Sequence, residues 1–201
     1  MDRSQFDFIR SKHGSYASWA LWAAADSKPK SNIGDLTVLD PDLNPALLQT
    51  VRTDVVMVGL NFARPVAEPL QPFCNFHDPR PIANDFKLRY AFSGTPYWGA
   101  YMTDIIKNVE LLTAAALRAH LRAFPALIRT NVVAFINELR DLSAMKPTIL
   151  AFGRDTYGII AAHVPAGAYS RVVPVMHYSH YISKEKYRDT VLGQVAASDV
   201  T

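Results

Sequence analysis

The chain has 201 residues, of which 49% are hydrophobic and 19% are charged. This balance excludes intrinsic disorder, a coiled coil and a collagen-like fibre, and the length suits one globular domain with a sizeable core. Lysine and arginine number 21 against 18 acidic residues, which gives a net charge of +3 that is compatible with a polyanionic partner. Cys74 is the single cysteine, so an internal disulfide and an iron–sulfur cluster are both excluded.

Targeting and metal-binding signals are not found in the sequence. No apolar stretch reaches the ~20 residues that a membrane helix requires, and the N-terminus mixes acids and bases without the pattern of a signal peptide. We therefore expect a protein that is not secreted and has no membrane partner, and that lies in the cytoplasm (including a nucleoid) or in the nucleus. The six histidines lack the spacing of a zinc site, so we expect no metal and no cofactor.

The first quarter of the chain is predicted to form short elements. Aromatic and apolar positions in residues 6–22 indicate one or two helices broken near Gly14, and residues 44–51 carry the start signal of a short helix. We interpret residues 1–33 as a helical cap on a single domain that spans residues 1–201.

The rest of the chain alternates strand-like and helix-like stretches. Three apolar, β-branched runs predict buried parallel strands at residues 55–60, 148–152 and 172–176, and residues 100–103 form a shorter fourth candidate. Pro174 has no N–H group, which places the last strand at a sheet edge. Helical spacing is found at residues 114–124, 130–145 and 156–163. The predicted fold class is α/β, a three-layer α/β/α sandwich with a central four-stranded parallel sheet.

Ligands of open α/β sheets bind beyond the carboxyl ends of the strands, so the residues at those ends are candidate site residues. They are Asn61, Asp104, Gly153 and His177. Residues 62–96 are too long for an ordinary connection and are expected to form a wall or lid of the site. Taken singly, Asn61 is equally explained as a turn cap and His177 as a hydrogen-bonded histidine at a strand end.

Four short motifs occur in order along the chain. They are Val-Gly-Leu-Asn at residues 58–61, Gly-Thr-Pro-Tyr-Trp-Gly-Ala-Tyr-Met-Thr-Asp-Ile-Ile-Lys at 94–107, Phe-Gly at 152–153 and His-Tyr-Ser at 177–179. This set resembles the uracil-DNA glycosylase superfamily, and it is closest in motif to the Gly-x-Asn branches, the mismatch-specific and single-strand-selective glycosylases. The resemblance covers roughly residues 55–188, and it implies a four-stranded parallel sheet between helices.

The resemblance also implies roles for individual residues. Asn61 would position the attacking water, and His177 would hydrogen-bond the O2 atom of the departing base. Residues that would contact the flipped base are Gly59, Leu60, Phe62, Phe73, Phe76 and Asp104, with one of the two later phenylalanines stacking on it. Residues that would contact DNA are Tyr178, Ser179, His180, Tyr181, Lys184 and Lys186. A core-filling role for the two phenylalanines and a solvated terminal helix for the last group are the alternatives.

Three residues depart from the pattern of the family. Phe62 and Tyr178 stand where the family has proline, and Asp104 stands where the family often reads the base with asparagine. An ionised aspartate accepts hydrogen bonds but cannot donate one to a carbonyl oxygen of uracil, so the target base stays open. Asp104 is alternatively interpreted as an ion-pair partner of Lys107.

The leading functional hypothesis is a monofunctional DNA N-glycosylase of base excision repair, which hydrolyses the glycosidic bond of a damaged or deaminated base flipped from DNA. Its partner would be DNA with a damaged or mismatched base, and we expect a monomer. The alternative is a non-catalytic binding module with the same fold. A serine hydrolase built on Ser179 and a generic nucleotide-binding protein are less favoured, because the sequence has no Gly-x-Ser-x-Gly elbow, P-loop or Gly-x-Gly-x-x-Gly motif.

Overall fold

The chain builds a five-stranded sheet with helices on both faces, as seen in a computed structural model that describes residues 1–62, 71–107, 109, 111 and 113–198. The strands are β1 (Ser18–Trp19), β2 (Arg52–Asn61), β3 (Ala100–Ile106), β4 (Thr148–Phe152) and β5 (Arg171–Val175). The α-helices are α1 (Arg3–His13), α2 (Leu47–Thr50), α3 (Asp85–Phe92), α4 (Ala114–Ala123), α5 (Ala126–Asp141), α6 (Arg154–His163) and α7 (Lys184–Ala197). Within these residues, no helix is long and apolar enough to span a membrane.

The strand order is β1-β3-β2-β4-β5, and the four longer strands run parallel. The prediction of a four-stranded, wholly parallel sheet was wrong by one strand, because β1 pairs antiparallel with β3. A strand of two residues carries no periodic signal, and the sequence around it had been interpreted as helical. Residues 1–33 therefore contribute a helix and an edge strand to the core. The prediction that Pro174 marks an edge strand is confirmed.

Alternate residues of β2 point to opposite faces of the sheet, and apolar side chains on each face pack against helices. Val56 and Val58 belong to an apolar cluster with side chains of α1, α4, α5 and α6. Val55 and Met57 belong to a second cluster with side chains of α3 and α7. The expected α/β arrangement with helices on either side agrees with these two clusters.

A buried polar group ties the carboxyl end of β3 to α5. Lys107 Nζ lies 2.6 Å from Glu138 Oε2, and the Tyr101 hydroxyl donates to Glu138 Oε1 over 2.7 Å. The same ammonium group donates to Thr103 Oγ1 and to the backbone oxygen of Asp104. The alternative interpretation of an Asp104–Lys107 side-chain pair was wrong, because Lys107 reaches the main chain of Asp104 and forms its ion pair with Glu138.

Candidate functional site

A cavity of about 530 Å³ opens at the carboxyl ends of β2, β4 and β5, a volume typical of small-molecule sites. The residues of the predicted site that line it are Leu60, Asn61, Phe62, Phe76, Asp104, Gly153, His177, Tyr178 and Ser179. Asn61 and His177 thus line one cleft. Asn61 ends β2 and His177 follows β5, and β4 lies between these two strands in the sheet.

Asn61 is fixed by two hydrogen bonds from its amide nitrogen. Nδ2 donates to the backbone oxygens of Val109 and Leu111 over 3.1 and 2.9 Å. These two acceptors define which end of the amide is nitrogen, so Oδ1 is the acceptor atom. Within the part of the chain that the structure describes, no group donates to Oδ1. Asn61 therefore offers an oriented, uncharged acceptor at the cavity wall.

His177 is held as a neutral donor. Its Nδ1 accepts the backbone N–H of Ser179 over 3.1 Å and lies 2.8 Å from the Ser179 hydroxyl, so the ring proton sits on Nε2. Burial, with a smaller contribution from His180, lowers the pKa of His177 to about 4. The ring also stacks on Tyr178 at 4.4 Å between centroids. At neutral pH the side chain is thus an uncharged Nε2–H donor.

Asp104 lies at the inner end of the cavity and is almost completely buried. Its Oδ2 accepts a hydrogen bond from Asn75 Nδ2 over 2.9 Å. Gly59 is its cross-strand neighbour, and a Cβ atom there would overlap Asp104 Oδ1. Burial raises the pKa of Asp104 to about 7, although the Asn75 hydrogen bond and the charge of Lys107 act in the opposite direction. Burial therefore keeps part of the Asp104 population protonated near neutral pH, where an exposed aspartate is ionised.

The two phenylalanines proposed to stack on a base lie in different parts of the fold. Phe76 lines the cavity and packs in the cluster with α3 and α7. Phe73 lies in the opposite cluster, where its ring contacts Phe6 and Trp19. The assignment of Phe73 to base binding was wrong, because its side chain fills the core. Phe76 remains the candidate for stacking.

The residues after His177 divide into two groups. Tyr178 and Ser179 line the cavity, whereas His180 and Tyr181 are exposed on the loop that follows. Lys184 forms an ion pair with Glu185 and lies over the ring of Tyr90, and Lys186 is exposed.

Sequence reasoning missed the polar residues that segment 62–96 contributes to the cavity. Asn75, Asp78, Arg80 and Asp85 line it, and Arg80 forms an ion pair with Asp78. Asp85 Oδ2 accepts the backbone N–H of Asp78 over 2.7 Å. The length of the segment had predicted a wall, and the described residues 75–85 form one. Residues 63–70 lie outside the described residues.

Two further findings concern metal binding and similarity to known proteins. Among the described residues, no group of three or more His, Cys, Asp or Glu side chains is arranged to hold a metal ion. Comparisons with protein-family models, curated proteins and solved structures gave no match to this chain.

Proposed function

We propose that the protein is a monofunctional DNA N-glycosylase that hydrolyses the bond between deoxyribose and a base flipped into the cavity. The observation that carries the proposal is the pairing of an oriented acceptor, Asn61 Oδ1, with a neutral donor, His177 Nε2–H, on the wall of one cavity. This pair matches the two charges that form when a glycosidic bond breaks.

Breaking the bond leaves negative charge on the departing base and positive charge on the sugar. A donor placed where the base anion develops stabilises the transition state more than the ground state. In the proposal His177 Nε2–H supplies that donor without carrying charge itself. Asn61 Oδ1 accepts a hydrogen bond from the attacking water and orients the water oxygen towards the sugar carbon. The water oxygen bonds to that carbon, the base leaves as an anion with the electrons of the broken bond, and the proton released from the water passes through solvent to the departed base. No covalent enzyme intermediate is required.

Contacts with the rest of the DNA are proposed for the rim of the cavity. Ile82 lines the cavity and is 82% exposed, and Tyr181 on the loop after His177 is fully exposed. Large exposed apolar side chains of this kind compensate for the unstacking that base flipping requires, which costs a few kcal/mol. Lys186 is the best-placed phosphate partner in this segment, because Lys184 is already occupied by Glu185. We propose Tyr181 and Ile82 as the wedge residues.

The test is a base-release assay on end-labelled oligonucleotides. Each substrate carries one uracil, hypoxanthine, xanthine or mismatched thymine, in single- and double-stranded form, and abasic products are cleaved with alkali. We expect release of at least one of these bases. His177→Ala should lower the single-turnover rate about 10²-fold or more, with little change in DNA affinity. His120→Ala is the matched control, because His120 lies on α4 outside the cavity.

Two results would contradict the proposal. A folded protein that binds the oligonucleotides but releases none of these bases would be a non-catalytic binding module. Base release that is equally fast in the wild type and in the His177→Ala variant, when chemistry limits the rate, would remove His177 from the mechanism.

A further inference from the structure

A second concave surface, which we name the α4–α6 groove, lies between α4, the start of α5 and α6. It has a volume of about 550 Å³. Its apolar lining consists of Leu60, Leu117, Leu121, Pro125, Ile128 and Ile159. Leu117 and Leu121, one helical turn apart on α4, are buried and form the floor of the groove, and Leu60, Ile128 and Ile159 are its partly exposed apolar side chains. Leu60, Arg154 and Asp155 also line the cavity, so the two concavities are adjacent.

The edges of the α4–α6 groove are positively charged. Arg118 and Arg122 stand one turn apart on α4, and Arg154 stands at the start of α6. Asp155 is the single acidic residue among the described lining residues, and it is already paired with Arg118 at 2.7 Å. The sequence from residue 111 to residue 137 contains no aspartate or glutamate. The groove therefore favours an occupant with acidic side chains flanking an apolar stripe.

A glycine in the middle of α6 leaves one wall of the groove without a side chain. Gly158 lines the groove, is exposed, and a Cβ atom added there would meet no atom within 4 Å. Glycine in a helix interior is less favourable than alanine, and no contact with the described residues requires a glycine here. A site without a side chain lets the backbone of a partner lie directly on the helix.

The side chains that line the groove favour a peptide over a single-stranded nucleic acid. Sequence-tolerant binding of single strands uses aromatic rings on which bases stack. The described lining of the α4–α6 groove contains aliphatic side chains, one glycine, three arginines, one aspartate and one histidine, and no phenylalanine, tyrosine or tryptophan. Leucine and isoleucine in a groove between helices are typical of sites that take the apolar face of an amphipathic helix.

We propose that the α4–α6 groove is a docking site for an acidic amphipathic helix of a partner protein. Apolar residues spaced at three and four positions on that helix contact Leu60, Ile128 and Ile159, which are the partly exposed apolar side chains of the groove. Its aspartates or glutamates pair with Arg122 and Arg154, and its backbone passes over Gly158. The groove borders the cavity, and its proposed partner is tested by peptide binding, whereas the proposed glycosylase activity is tested by base release.

The test uses a fluorescein-labelled helical peptide of 18 residues, with leucines at spacings of three and four and glutamates on both flanks. Binding to the full chain is followed by fluorescence anisotropy. Gly158→Phe fills the groove and should weaken binding about tenfold or more, and Arg122→Glu should do the same by reversing one charge at the rim. The matched control is Gly193→Phe, because Gly193 is also exposed in a helix, α7, with open space around it.

Several controls keep the interpretation of this experiment unambiguous. A peptide with lysines in place of the glutamates should bind at least tenfold more weakly. Gly158→Ala should raise the melting temperature, because it improves helix propensity without a clash. If Gly158→Phe does not fold, Arg122→Glu, a surface change, decides the question.

The proposal is overturned by any of three outcomes. The first is no binding of the acidic peptide at concentrations up to about 1 mM. The second is equal loss of binding in the Gly158→Phe and Gly193→Phe variants. The third is competition between the peptide and a labelled single-stranded oligonucleotide, together with weaker binding of that oligonucleotide to the Gly158→Phe variant. This result would show that the groove is a nucleic-acid surface. Base-release rates do not enter any of these outcomes.

Discussion

Replacing Gly59 with alanine tests how the cavity keeps the Asp104 carboxyl group in place. A Cβ atom at position 59 would lie much closer to Asp104 Oδ1 than the sum of the van der Waals radii allows, and 3.4 Å from Phe76 Cε1. Gly59 and Asp104 are register partners on adjacent parallel strands, so the two backbones cannot readily separate. The carboxyl group must rotate instead, and it then loses the 2.9 Å hydrogen bond from Asn75.

The magnitude follows from three contributions. Loss of a hydrogen bond that leaves a buried group unsatisfied costs about 1–3 kcal/mol. Added volume in a packed core costs another 1–3 kcal/mol or so. Alanine in place of a strand glycine returns about 0.5–1 kcal/mol. The sum spans about 1–5.5 kcal/mol, so we expect Gly59→Ala to lower the free energy of unfolding by about 3 kcal/mol when Asp104 is present.

The decisive measurement is a double-mutant cycle with Asp104→Ala, followed by urea unfolding. Without the carboxyl group there is no overlap, so Gly59→Ala should then be neutral or slightly stabilising, with a coupling energy of about 2 kcal/mol or more. Gly167→Ala is the control, because a Cβ there meets nothing within 4 Å, and it should change stability by less than about 0.5 kcal/mol. An equal cost of Gly59→Ala in both backgrounds would refute the reasoning.

Three further predictions concern stability and DNA processing. The pKa of His177 is lowered to about 4 in the folded protein, below the unfolded value near 6.5, so protonation of His177 favours the unfolded state and stability falls as pH drops from about 6.5 to 4. When urea unfolding is measured across this pH range, His177→Gln should make stability depend less on pH. An unchanged slope would argue against a neutral His177 ring in the folded protein. Glu138→Ala leaves Lys107 buried without its counter-ion and should lower the free energy of unfolding by about 3–5 kcal/mol. The double variant Glu138→Ala, Lys107→Met has no buried charge, so it should regain most of this lost stability. Tyr181→Ala should slow base release from duplex DNA more than from single strands, and equal effects on both would exclude a wedge role.

The sequence was sufficient to predict the main strands because their signals are local. The apolar, β-branched runs that form β2, β4 and β5 are continuous in the sequence, and the runs of β2 and β5 are followed by Asn61 and His177. The positions of the strands and the placement of both residues at one edge could therefore be inferred. The strand β1 could not be inferred, since Ser18 and Trp19 pair with β3 only through the tertiary fold.

The inner part of the site depends on contacts that no local pattern encodes. Asn75 donates to Asp104 across 29 positions in sequence. Phe73 and Phe76 are three residues apart in similar surroundings, and both have positive φ angles of 66° and 62°. These left-handed backbone conformations, which phenylalanine rarely adopts, help direct one ring to the core and the other to the cavity. Sequence alone could not distinguish the two.

In the proposed reaction, the protonation of Asp104 affects how well the cavity accommodates a departing base anion. The pKa of His177 is lowered to about 4, so this ring is uncharged at neutral pH, whereas burial raises the pKa of Asp104 to about 7, so its charge changes near neutral pH. An ionised Asp104 would repel negative charge that develops on the base, whereas the protonated form would not and could donate from Oδ1 to a carbonyl oxygen, because Asn75 already occupies Oδ2. Single-turnover base release should therefore decline as pH rises through about 7. Asp104→Asn, which is permanently uncharged, should remove this decline, and a decline of the same size in the variant would show that another group is responsible.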